Sequence, residues 1–238
     1  MKHITSTEIL CAGQARAIQI FDTVIGRAVS RDVLTGKSYP ILPFLKNVRT
    51  ILDVGGNIGA ASVYFALHYP EARVLAFEPD PECFTLLRHN TADLKNVRAF
   101  SFGLAGHDAV EPLFLGSIDP ATNSLGKSTL NSVASVMVEI KDPRPILVAA
   151  GIQRIDILKL DTEGAEVPIL HALESWLPRT GVVYVEYHDE AARREIDSLL
   201  AATHVLFQGT IHFAHRGELC YVLQERMPAE MASLRIVI

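Results

Sequence analysis

Cysteine is scarce in this chain. Only Cys11, Cys83 and Cys220 occur among 238 residues, far apart and without a CxxC pair. That excludes a disulfide framework or a cysteine zinc site, and all three are expected as small buried apolar groups. A basic surplus is missing too. Twenty-two Lys and Arg stand against 27 Asp and Glu, a net charge of −5, which argues against nucleic acid as the main partner because phosphate binding needs a dense cationic surface. No uncharged run approaches the about 20 residues of a membrane span. The opening MKHITSTEILCAG also lacks the basic-then-apolar pattern of a secretory signal. A soluble, cytoplasmic protein with no membrane partner is the expectation. What is abundant is apolar content, at 49%, enough for one large domain or two small ones around a real core.

Residues 1–47 read as a separate N-terminal helical cap. Thr5 and Glu8 have capping-box spacing, AIQIFDTVIGRAVSRDVL carries apolar residues on a roughly helical period, and GKSYPILPF reads as a connector. This cap is expected to form a dimer contact or a lid. Residues 48–238 form the second unit. There short apolar runs (VRTILDVG, ARVLAFEP, VRAFSFGLA, IDILKLD, GVVYVEYH) alternate with helical stretches, and a closing pair of strands is joined by the turn signal HRGE. The pattern predicts an α/β fold: a doubly wound, mostly parallel seven-stranded sheet with an antiparallel edge. Asp80 is the expected N-cap of one helix, with Pro81 at its first position. Pro168 sets the start of another near Gly164 to Glu166. The exception is an insertion, 106–150, rich in Ser, Gly, Asn, Pro and Asp, which reads as a long functional loop.

The stretch DVGGNIG ends the first apolar run. In an open parallel sheet, ligands sit beyond the carboxyl ends of the strands, and glycines let a backbone approach a ligand closely. The spacing G-G-x-x-G departs from the dinucleotide fingerprint G-x-G-x-x-G. Asp53, just before the glycines, would repel a pyrophosphate but suits a cationic ligand. Glu78, at the next strand end, is placed to accept hydrogen bonds from ribose hydroxyls. An ammonium and a sulfonium on an adenosine frame describe S-adenosylmethionine, which the loop favours over NAD.

Together ILDVGGNIGAAS, AFEPDPECFTLLRHN, ILKLDTEGAEVPIL and VVYVEYH resemble the FkbM-type methyltransferases over about residues 48–208. The resemblance implies a class I, Rossmann-like, S-adenosylmethionine-dependent fold and methyl transfer to a hydroxyl of a sugar or a polyketide-type natural product. It also implies that Asp53, Gly55 and Gly59 line the methionyl end of the cofactor and that Glu78 holds its ribose. The full candidate cofactor set is Asp53, Gly55, Gly56, Asn57, Gly59, Ser62, Glu78, Pro79, Leu104 and Asp161.

An alcohol must lose its proton on methylation, so bases are sought at strand ends near the glycine loop. Period two puts Lys159 and Asp161 on one face, and Glu186 and His188 on another. The candidate catalytic set is His188, Asp161, Glu163 and Lys159. His188 is the expected base because imidazole titrates near neutrality, and Asp161 is the expected orienting carboxylate. Glu166 and Asp189 read as helix caps. Asn123, Ser124, Lys127, Glu186 and His212 form the candidate acceptor-binding set. A divalent ion on Asp161, Glu163, Glu186 and His188 is conceivable chemistry, but their spacing fixes no geometry and no metal is assigned. The competing readings are a nicotinamide-dependent oxidoreductase, a non-catalytic cofactor-binding partner protein, and N-methylation.

Overall fold

The structure is a computed structural model that describes residues 3–116, 132–213 and 215–229. Its first element corrects the expected helical cap. Strands β1 (Ile4–Cys11) and β2 (Gln14–Phe21) form an antiparallel hairpin, so Thr5 and Glu8 lie in a strand and cap nothing. Ala12 and Gly13 link the strands with positive φ of 50° and 76°, the two-residue turn whose twist matches a hairpin. Ile18 and Ile20 alternate inward on β2, a period-two signal hidden inside the helical one. Only Val24–Leu34, helix α1, follows the helical reading. Thr23 caps it by accepting a hydrogen bond from Gly26 N. The connector after α1 is tied down where Tyr184 Oη donates to Pro40 O, 2.5 Å away.

The remainder alternates as expected. β3 (Thr50–Val54), α2 (Ala60–His68), β4 (Arg73–Phe77), α3 (Pro81–Asn90) and β5 (Val97–Phe100) form the first half. Asp80 caps α3, accepting from Glu82 N at 2.7 Å. Then come β6 (Gly103–Leu104), β7 (Ala109–Gly116), β8 (Ser132–Lys141) and α4 (Pro143–Ala149). The second half is β9 (Ile155–Leu160), α5 (Glu166–Ala172), β10 (Thr180–Tyr187), α6 (Glu190–Leu200), β11 (His204–Phe213) and β12 (Arg216–Leu223). Asp189 caps α6 through Ala192 N.

The main sheet has seven strands in the order β11-β12-β10-β9-β3-β4-β5. β9, β3, β4 and β5 pair in parallel, and β10 pairs with β9 in parallel. Only β12 runs against its neighbours, pairing antiparallel with both β10 and β11. This is the doubly wound, mostly parallel α/β sheet the pattern predicts. β3 lies between β4 and β9, where the chain changes direction of winding, so the ends of β3, β4 and β9 frame one crevice.

The insertion is not one long loop. Its described residues hold β7 and β8, which pair antiparallel and with β6 make a separate three-stranded sheet. Leu113, Val138 and Ile140 give this sheet its own small apolar cluster. Two larger clusters cover the two faces of the main sheet. One includes Ile51, Phe65 and Ile157 together with Ile18, Ile20 and Leu34 of the N-terminal segment, and the other includes Leu52, Leu158, Leu170 and Val183. All three cysteines are buried and free. Among the described residues no helix is long and apolar enough to cross a membrane.

Candidate active site

The end of β3 approaches the end of β9 more closely than a side chain allows. Gly55 has φ +77°, and a Cβ there would fall 1.7 Å from Asp161 O. Gly55 N and Gly56 N both donate to Phe77 O, at 3.0 and 2.9 Å, which ties the glycine loop to β4 as well. Gly59, at φ +88°, precedes α2. Above this junction opens a cavity of about 410 Å3, whose lining includes Gly55, Asn57, Glu78, Pro79 and Leu104. Asp161, Glu163, Glu186, His212 and Arg216 line the same cavity. A smaller cavity of about 50 Å3 also touches Gly55, Gly56, Asn57, Lys159 and Asp161.

Glu78 is almost fully buried. Its Oε2 accepts from Asn57 N and its Oε1 from Asp80 N, each at 2.7 Å. Burial pushes this carboxyl up to about 7, against the pull of those two N–H groups. Each oxygen keeps a further lone pair for a ligand hydroxyl.

Asp53 and Ser62 are fully buried and are not among the residues that line either cavity. Ser62 Oγ donates to Asp53 Oδ2 at 2.6 Å. Asp53 Oδ1 faces Lys159 Nζ at 3.3 Å. The expected direct contact between Asp53 and a cationic ligand is therefore corrected: the acid neutralises Lys159. Lys159 Nζ also donates to Gly55 O at 2.5 Å and stands 3.5 Å from Asp161 Oδ2. Burial pushes the lysine down, but Asp161 and Asp53 outweigh it and its pKa is raised. Asp161 shows the converse. Burial raises it, yet Lys159 first, then its other neighbours, hold it below the usual carboxylate range.

Glu163 adopts φ +54°, a left-handed conformation that costs a non-glycine residue roughly 1–2 kcal/mol. Two cations hold it there. Arg216 lies 2.8 Å from its Oε1 and His188 Nε2 lies 3.0 Å from its Oε2. Arg216 Nε also donates to Glu186 Oε1 at 2.7 Å. Glu166 caps its own loop, accepting from Thr162 N at 2.8 Å.

His188 is the clearest correction. It is mostly buried, with Glu163, Glu166 and Glu186 all within 4.0 Å. Burial would lower its pKa, but these carboxylates raise it to about 9. The three carboxylates favour the imidazolium, which has no free lone pair, and the ring is not among the residues that line the cavity, so Glu186 is the better placed base. Glu186 does line it, and is pushed up to about 8 by burial first and by Asp161 second. Glu163, Glu186 and His188 have ligand atoms within 4.8 Å of one another. Arg216 and protonated His188 already supply cations to that cluster.

These pKa shifts set a pH dependence of stability. A histidine raised to about 9 contributes stability that is complete below its unfolded value and lost as pH rises through 9. Glu186 and Glu78 hold their protons in the folded state past their ordinary 4.5, so they too lose stability as pH rises toward 8. The thermal midpoint should fall steadily between about pH 6.5 and 9, and His188→Gln should flatten the upper part of that slope. A midpoint that is flat or rises across this window, read by circular dichroism, would contradict an imidazolium at His188 and a retained proton on Glu186.

Several site residues carry no legible signal in the sequence. Tyr39, from the connector, is buried, donates to Asp161 Oδ2 at 3.3 Å and lines both cavities. Ile25, Ala28 and Val29 of α1 form an apolar wall. Arg216 and Glu218 lie in what reads as a turn; their period-two spacing could have placed them on one face with Glu186. Asn123, Ser124 and Lys127 lie outside the described residues.

Residues 53–206 match the family model described as Methyltransferase FkbM domain. Among curated proteins the chain is 28% identical to Methyltransferase sdnD of Sordaria araneosa, covering 83% of this chain and 88% of that one. It is 28% identical to 2-O-methyltransferase NoeI of Sinorhizobium fredii, over 59% and 63% of the two chains. It is 27% identical to 31-O-demethyl-FK506 methyltransferase FkbM of Streptomyces tacrolimicus, over 63% and 70%.

Proposed function

The chain belongs to the FkbM methyltransferase family, and from that premise we propose that it is an S-adenosylmethionine-dependent O-methyltransferase acting on a hydroxyl of a small polar acceptor such as a sugar. The observation that carries this reading is the cavity of about 410 Å3, whose lining joins the glycine loop and Glu78 to a group of acids from Asp161 to Glu218. The glycine-loop residues and Glu78 fit the cofactor. Gly55 leaves room where a Cβ could not stand, Asn57 and Pro79 border it, and Glu78 offers lone pairs suited to a ribose diol. When bound, S-adenosylmethionine supplies an electrophilic methyl group.

The protein's own part is positioning and proton removal. Holding two reacting groups in contact lowers a barrier by up to about 7–11 kcal/mol. Asp161, ionised and half-buried beside Lys159, orients the acceptor. Glu186 takes the hydroxyl proton. Its pKa of about 8 lies near a neutral working pH, so the ionised fraction that acts as base grows as pH rises toward 8. Arg216, bonded to it at 2.7 Å, steadies the carboxylate once the proton has moved on. His188 positions Glu163 and takes no proton.

Calorimetry with S-adenosylhomocysteine against NAD tests the reading. The homocysteine product should bind and NAD should not. Glu78→Ala should weaken the first by about 10–100-fold, the equivalent of losing hydrogen bonds to a charged group. Binding of NAD alone would favour an oxidoreductase.

A further inference from the structure

Among the described residues, the acids that line the cavity are not all matched by counter-charges. Lys37 is already taken by Asp32, 2.6 Å away, and Arg216 by Glu163 and Glu186. Glu218 has no such match. Among the described residues its one ion-pair neighbour within 4.0 Å is His212 Nε2, at 3.9 Å.

The register makes this costly. Glu218 sits directly opposite Glu186 in the antiparallel pairing of β12 with β10, and both line the cavity. Like charges directly opposite on a ladder destabilise a sheet. Arg216 is bonded to Glu186 and Glu163 and not to Glu218, and Glu186 answers its acid neighbours by holding its proton toward pH 8. Burial first pushes Glu218 upward, His212 opposes it, Asp161 adds to the rise, and a hydrogen bond with the neutral Ser38 hydroxyl opposes it without supplying a counter-charge. On the far side of the cavity, α1 presents Ile25, Ala28 and Val29, which offer no donor to an anion.

We infer that the acceptor carries an ammonium group near the hydroxyl to be methylated, seated on Glu218 and Glu186, as in an amino sugar or a related amino alcohol. This rests on the methyltransferase reading above. A carboxylate or phosphate on the acceptor would face Glu218 and Asp161, and among the described residues lining the cavity Lys37 and Arg216 are already paired. A neutral polyol would bring these acids no cation. An ammonium supplies one, donating up to three charge-assisted hydrogen bonds and favouring the ionised form of Glu186 that a base requires. Such a group also decides which atom reacts: held as an ammonium, the nitrogen has no lone pair, and the hydroxyl is the nucleophile that remains.

The test uses the full chain and three matched probes: the methyl glycosides of glucosamine, glucose and glucuronic acid. Calorimetry with S-adenosylhomocysteine comes first; absence of binding overturns the methyltransferase reading and this inference with it. With that binding in place, transfer of a radiolabelled methyl group is measured for each probe. The glucosaminide should exceed the glucoside in kcat/KM by about tenfold or more, and the glucuronide should not react. Glu218→Gln, which is isosteric and relieves a like-charge pair, should bring glucosaminide and glucoside to within about threefold while the homocysteine affinity holds. Preference for the glucoside or glucuronide, no transfer to any probe, or a preference that survives Glu218→Gln overturns the inference while leaving the methyltransferase reading intact.

Discussion

Gly55→Ala should abolish S-adenosylhomocysteine binding and lower the thermal midpoint by about 6 °C or more, for a loss of at least about 3 kcal/mol. Two costs add. The position has φ +77°, which costs an alanine roughly 1–2 kcal/mol. Its Cβ would also sit 1.7 Å from Asp161 O, a backbone atom. That atom cannot simply retreat, because Asp161 N donates to Val54 O at 3.2 Å and Gly55 N to Phe77 O at 3.0 Å. Relief therefore means prising β3 from β9 or β4, in the crevice the cofactor needs. Gly13→Ala is the matched control. It has φ +76° with nothing within 4 Å of its Cβ, so it carries the strain without the clash and should leave binding unchanged. If Gly55→Ala bound the homocysteine product as the parent protein does, the close approach would not be part of the site.

The sheet is legible in the sequence because its strands are buried on both faces. Runs such as ILDV and IDILKL, every residue of β9 buried, have no other stable home than the centre of a parallel sheet. The N-terminal hairpin is not legible, for a specific reason. In AIQIF the period-two pattern of Ile18 and Ile20 runs directly into the helical pattern of α1, and a window spanning both averages to a helix. The turn at Ala12 and Gly13 is the local signal that separates them. The insertion misleads in a similar way. Its polar composition overlies β7 and β8, whose buried residues among those described are Leu113, Val138 and Ile140, with Leu115 and Val136 packed against them.

For the site, strand-end acids are readable and charge states are not. Alternation places Glu186 and His188 on one face, and both are in the cluster. What alternation cannot give is that His188 enters a group of three carboxylates, which converts a candidate base into a fixed cation. That depends on the α5 loop and on Arg216, 53 residues after Glu163. Asp53 shows the same limit. Its position in the sequence suggests a ligand contact, but its partner is Lys159, brought alongside by the β3–β9 pairing of Asp53 with Lys159. Tyr39 shows it most plainly, since a residue 122 positions from Asp161 reaches it only through the tertiary fold.

Lys159→Met should be the most damaging change that leaves the backbone conformation alone, costing about 3–5 kcal/mol. The ammonium is fully enclosed and answers several groups at once: Gly55 O at 2.5 Å, Asp53 Oδ1 at 3.3 Å and Asp161 Oδ2 at 3.5 Å. Methionine fills similar volume but leaves Asp53 a buried carboxylate with Ser62 as its one remaining close donor. The effect should be nearly flat with pH around neutrality. A lysine pKa raised in the fold contributes stability that is complete below the ordinary lysine value and is lost only as pH rises through the higher, folded one. Asp53→Asn in the same chain should recover part of the loss, with a coupling of about 2 kcal/mol between the two positions. It removes the orphaned charge and keeps a group for Ser62. Urea unfolding of the two single variants and the double variant measures this cycle. Additive losses would mean that the lysine acts by packing alone, and that the acid under the glycine loop is not what holds it in place.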